Sequence, residues 1–87
     1  MDKLRAYEIS QDILFEAFEA SEKFDQFNSP HEGLAVILEE YEELKAEVFK
    51  KQANYDMNKM SKEAMHLGAM ALRFIYDVVG DRNDKDN

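Results

Sequence analysis

Apolar residues return at steps of three and four along almost the whole chain, in three stretches separated by two breaks. That spacing puts side chains on one face of an α-helix, whereas a half-buried strand needs alternation at every second position. In the first stretch Ala6, Ile9, Ile13, Ala17, Ala20, Phe24 and Phe27 form the apolar side, and Glu8, Asp12, Glu16, Glu19 and Lys23 hold the other. Leu14, Phe15 and Phe18 widen the apolar arc, so a helix over residues 4–27 should meet two neighbours. The sharpest boundary is NSPHEG, residues 28–33. Ser29 suits an N-cap, Pro30 the first helical position where no amide donor is needed, and Glu32 the place that completes a capping box. A second helix follows through Gln52, with Leu34, Ile37, Leu38, Tyr41, Leu44 and Val48 as its buried stripe. ANYDMN reads as the connection, and Asn58 and Ser61 both qualify as cap of the third helix. There Met60, Ala64, Met65, Leu67, Gly68, Ala71, Leu72, Ile75, Val78 and Val79 cover more than half of the circumference, which leaves a narrow strip of Glu63, His66, Arg73 and Asp77. Gly80 can end that helix, and residues 81–87, DRNDKDN, are expected as a charged, flexible tail.

The expected class is therefore all-α, with three helices per chain in one domain over residues 1–80. A chain of 87 residues removes only roughly 60–65% of its unfolded surface from water when it folds alone. Two of the three apolar arcs are also wider than their own neighbours can cover. A helical bundle completed by oligomerisation is expected, as a homodimer or homotetramer with the second and third helices of each chain at its centre. The net charge of −8 and pI near 4.6 repel nucleic acid polymers and anionic membranes. No cysteine is present, which excludes disulfides and thiolate chemistry. MDKLRAYEIS has no apolar signal region, and HLGAMALRFIYDVV is interrupted by Arg73 and Asp77, so no membrane span and a cytoplasmic location are expected.

EEYEEL, residues 39–44, concentrates four carboxylates around Tyr41. At about 100° per residue, Glu39, Glu40, Glu43 and Glu47 gather on the side away from the expected stripe, with Glu40 nearest its edge. Like charges four residues apart each cost about 0.2–0.5 kcal/mol on an isolated helix. Glu39 faces Glu43 and Glu43 faces Glu47; Lys51 follows Glu47 by four, but Lys45 lies on the apolar side. One reading is a solvated acidic face. The other is a cation site, because E-E-x-x-E lets three carboxylates converge beside one helix, and Mg²⁺ takes a few carboxylates together with waters and substrate phosphates. Glu63 is the best placed fourth carboxylate; its plain reading is a first-turn Glu that complements the helix dipole.

SPHEGLAVILEEYEELKAEVFK followed by KEAMHLGAMALRFIYDV resembles the all-α NTP pyrophosphohydrolase superfamily, specifically its short MazG-like proteins, over residues from about Phe27 to Val79. The E-E-x-x-E element matches at Glu39, Glu40 and Glu43. The family's second element, E-x-x-D on the following helix, matches at Glu63 only. The resemblance implies a helical dimer or tetramer in which Glu39, Glu40, Glu43 and Glu63 hold Mg²⁺, with Mn²⁺ as the other option, and hydrolyse nucleoside triphosphates to the monophosphate and pyrophosphate. Its alternative is a non-catalytic helical interaction or metal-binding protein with a degraded site. The departure is His66, which stands where the family has Asp. Imidazole suits Mn²⁺, Zn²⁺ or Ni²⁺ better than Mg²⁺, so His66 as ligand of a softer metal, as phosphate contact, as core-edge residue or as the mark of lost chemistry all stay open. His31 reads as a surface residue of the capping turn, with phosphate contact as the sharper alternative. Lys59, Lys62 and Arg73 are basic groups within reach of outer phosphates or ordinary helix surface, and Tyr7, Phe15 and Phe18 are aromatics able to stack on a base.

Overall fold

The structure, a computed structural model, describes residues 1–80. The tail expected over residues 81–87 lies outside them. Among the described residues the chain is all-helical: α1 Lys3–Lys23, α2 Pro30–Val48 and α3 Met57–Phe74, with a short 3₁₀ turn Gln52–Asn54 before α3 and a π-helical turn Ile75–Val79 after it. No strand occurs among them, and no helix is long and apolar enough to cross a membrane. α3 lies in the middle and packs against both α1 and α2.

The helix starts follow local capping chemistry. The Asp2 carboxylate accepts from the backbone N–H of Leu4 at 2.9 Å and opens α1. At α2 the Ser29 hydroxyl accepts from Glu32 N at 3.1 Å, and the Glu32 carboxylate reaches back to the N–H of Asn28 at 2.9 Å, so the boundary read from NSPHEG holds. α3 starts two residues earlier than the nearer candidate cap, Asn58, allowed. Asp56 is its N-cap, accepting from Lys59 N at 3.0 Å, which moves Glu63 out of the first turn and removes its dipole role. α2 also stops at Val48, short of Gln52; Tyr55 donates from its hydroxyl to the Val48 carbonyl at 3.0 Å and ties the connection down.

The expected continuation of α1 to Phe27 is overturned by tertiary contacts. Phe24 is already extended, and Phe27 turns inward to become 8% exposed. Its N–H donates to Asp77 at 3.1 Å, Arg73 donates to the Asp25 carbonyl at 2.9 Å, and the Arg73 guanidinium lies over the Phe27 ring at 4.6 Å. These long-range partners replace the helical hydrogen bonds that the periodicity favours locally.

The helix faces differ more deeply from expectation. Ala17, Phe27, Ala69 and Met70 make the buried apolar core, with Ile13, Ala20, Val36, Ile37, Phe74 and Val78 packed against it. Gly33 lets α2 come close: a Cβ there would stand 2.6 Å from the Phe74 ring and 3.1 Å from the Phe27 ring. That approach turns Gly33, Val36, Ile37, Glu40 and Glu47 toward the interior, and leaves Leu34, Leu38, Tyr41 and Val48, four of the six residues expected in the buried stripe, exposed. On α3 the supposed polar strip is the buried one. Glu63 is 9% exposed and Arg73 3%, while Leu72 and Ile75 face outward. Within the single chain, the ionisable faces of α2 and α3 look inward and much of their apolar surface looks out.

Candidate metal centre

Glu40 and Glu43 come from consecutive turns of α2, and Glu63 and His66 from one turn of α3. Where α2 comes close at Gly33, Glu40 turns toward Glu63 and His66 while Glu43 stays at the edge of the group. Glu40, Glu63 and His66 each place one potential ligand atom within 4.8 Å of the others. Glu43 is exposed, and its carboxyl stands in hydrogen-bond reach of Glu63. Glu39 is also exposed; it borders the cavity next to Glu40 and stays outside the converging group. Three of the five residues picked from the sequence thus meet, with Glu43 beside Glu63 and Glu39 apart.

The two inner carboxylates are both held above their ordinary pKa by their surroundings. Burial pushes the Glu63 carboxyl above its ordinary value, and the hydrogen-bonded, like-charged Glu43 carboxyl pushes it further; His66 and Lys59 pull the other way. Burial also raises Glu40, with Glu43, Glu63 and Glu39 adding to the rise and His66 opposing it. One oxygen of each, Glu40 Oε2 and Glu63 Oε2, is buried with no hydrogen-bond partner. A buried charged oxygen left without a partner costs at least about 1–3 kcal/mol, so native proteins rarely keep two side by side without a use. Two such oxygens and an imidazole make a donor set able to hold a divalent cation.

One further residue belongs here. Glu16 of α1, which the helical wheel assigns to a solvent face, brings Oε2 to 3.4 Å from His66 Nε2, while His66 Nδ1 lies 3.9 Å from Glu40 Oε2. Its only signal in the sequence is a place one residue before the core Ala17, too weak to single it out. The remaining candidates separate. Glu47, expected on the ridge, is 6% exposed and neutralised by Lys50 at 2.8 Å and Lys59 at 3.9 Å, so it does not repel Glu43 across a solvated face. Arg73, taken as surface, is buried and committed to Asp25, Phe27 and Asp77. Lys62 and His31 are exposed.

Two cavities open on either side of Glu40. The larger, about 440 Å³, is bordered by Phe24, Phe27, Val36, Glu39, Met70 and Arg73. The smaller, about 260 Å³, lies among Glu16, Lys23, Phe24, His66 and Met70. Tyr7, Phe15 and Phe18 border neither; the aromatics beside the centre are Phe24 and Phe27. No protein-family model, no curated protein and no solved structure matches the chain.

Proposed function

We propose that the chain is a metal-dependent nucleoside triphosphate pyrophosphohydrolase, which adds water at the α-phosphorus, breaks the bridge to the β-phosphate, and releases the monophosphate and pyrophosphate. The observation that carries the proposal is the meeting of Glu40, Glu63 and His66 within 4.8 Å, with two buried carboxylate oxygens left unpartnered. The family-like order of Glu39, Glu40, Glu43 and Glu63 supports the reaction class. Glu40 and Glu63 would hold the ion, with Glu43 and His66 beside them. Mg²⁺ or Mn²⁺, when bound, supplies neutralisation of phosphate charge and a water of lowered pKa.

The chain's own residues do the rest. Glu43, solvent-facing and beside Glu63, is positioned to take a proton from the attacking water and to pass it outward. The larger cavity falls in the about 300–1,000 Å³ range of small-molecule sites; the exposed Phe24 at its border offers a ring face to a base. Lys23, at the mouth of the smaller cavity, is the nearby cation for the departing pyrophosphate. A net charge of −8 opposes nucleotide binding everywhere except where a cation reverses the local sign. The exposed stripe of α2 supports assembly as a homodimer or homotetramer.

The test is pyrophosphate release from a panel of NTPs and dNTPs with Mg²⁺ or Mn²⁺. Glu43→Gln should lower kcat by about 10²–10⁴-fold, the usual worth of a general base, with little change in metal binding. Folded wild-type protein that binds the ion but releases nothing from any nucleotide would leave the alternative, a non-catalytic metal-binding bundle.

A further inference from the structure

We infer that His66 is itself a metal ligand, held in place by Glu16, and that the centre is built for a borderline transition ion of the Mn²⁺, Fe²⁺ and Co²⁺ class in preference to Mg²⁺. This rests on the reading of the carboxylate cluster as a cation site. Neutral imidazole carries one N–H donor and one lone pair. Nε2 lies 3.4 Å from Glu16 Oε2; a proton held on Nε2 toward Glu16 would leave Nδ1, the nitrogen on the Glu40 side, free to bind an ion. The Nδ1 to Glu40 Oε2 separation of 3.9 Å is too long for a hydrogen bond. It suits two ligands of one ion, which stand about 3–4 Å apart when each is about 2.1 Å from the metal.

An orienting carboxylate behind a metal-bound histidine fixes the tautomer and raises ligand basicity. Glu16, from a different helix, occupies that place and acts as a positioning residue. The independent pointer to a ligand is Glu63, nine-tenths buried with Oε2 unpartnered, its carboxylate reaching within 4.8 Å of the Glu40 and His66 ligand atoms. Glu63 and His66 also form a Glu-x-x-His step facing a glutamate of another helix, the arrangement by which helical bundles hold iron and manganese. Replacing a hard oxygen by imidazole shifts preference along the divalent series away from Mg²⁺.

The experiment uses the whole chain without nucleotide. Mn²⁺ is titrated and the complex examined by pulsed electron paramagnetic resonance, which detects the nuclear coupling of a directly bound imidazole nitrogen. The wild type should show that coupling and His66→Asp should lose it, with the ratio of Mn²⁺ to Mg²⁺ affinity falling at least about tenfold; Glu16→Gln should keep the coupling and weaken Mn²⁺ by about 10–100-fold. The wild-type spectrum needs no variant, so misfolding of a substitution cannot mask the answer. Tight Mn²⁺ binding with no nitrogen coupling would overturn this inference and leave the function proposed above intact; absence of any Mn²⁺ binding would overturn both.

Discussion

Glu63 has the most at stake in its surroundings. It sits on the buried side of α3, faces Glu40 and Glu43, and keeps one oxygen without a partner. The pKa values of Glu63 and Glu40 both lie above 4.5 in the folded chain, so between 4.5 and those raised values the folded state holds more protons than the unfolded one. Stability supplied by the protonated carboxyls is full below 4.5 and is lost as pH rises through the raised values. Metal-free protein should therefore lose stability from this pair on going from mildly acidic to neutral pH. Glu63→Gln should flatten that fall and stabilise the metal-free protein at neutral pH by about 1–2 kcal/mol, since its amide donates to a neighbouring carboxylate. Thermal melts in chelator across pH check this. A variant less stable than wild type at every pH would contradict it. With saturating Mn²⁺ the order should reverse, because only the wild type keeps the ligand and its stabilisation by mass action.

The segment between α1 and α2 and the end of α3 are fastened by one arginine. Arg73 stacks on Phe27, holds the Asp25 carbonyl and approaches Asp77, which in turn accepts from Phe27 N. Arg73→Lys keeps the charge but loses the planar group, and should cost about 2 kcal/mol in chemical denaturation. Arg73→Met should cost about 3 kcal/mol or more, because Asp77 keeps a buried charge without its cation. Equal stability of all three proteins would mean that the fastening is idle. The contrast with the sequence is instructive here. Ser29, Pro30 and Glu32 made the start of α2 legible, because capping is chemistry between near neighbours. The spacing of Glu40 and Glu43, the place of Glu63 beside the apolar face and the departure at His66 from the resembled family pointed to the residues of the candidate centre. What stayed hidden was the rotation of α2 and α3. Periodicity identifies an apolar face but not which face meets the chain's own helices; that was decided by Gly33, where the Phe27 and Phe74 rings press against the backbone, and by the pull of Arg73 on residues far away in sequence. Glu16 was hidden for the same reason.

Among the described residues, Glu47, Glu63 and Arg73 are turned inward while many large apolar side chains stay outside. Leu34 is 61% exposed, Leu38 54% and Phe49 76%, along a face with no covering element among the described residues. Exposed apolar surface of this kind suits an interface, and a second copy of α2 is the cover we propose for it. Sedimentation at micromolar concentration should give a multiple of the 10.2 kDa chain mass, and Leu38→Glu should shift it to the monomer with helical content retained. A wild type that sediments as a monomer would remove the oligomer from the account. The most direct test concerns the ion at the centre. Crystals grown with Mn²⁺ should give an anomalous difference peak about 2.2 Å from oxygens of Glu40 and Glu63 and beside His66. A well-resolved map with no peak there, and with Glu40, Glu43 and Glu63 turned to separate stretches of solvent, would contradict the account.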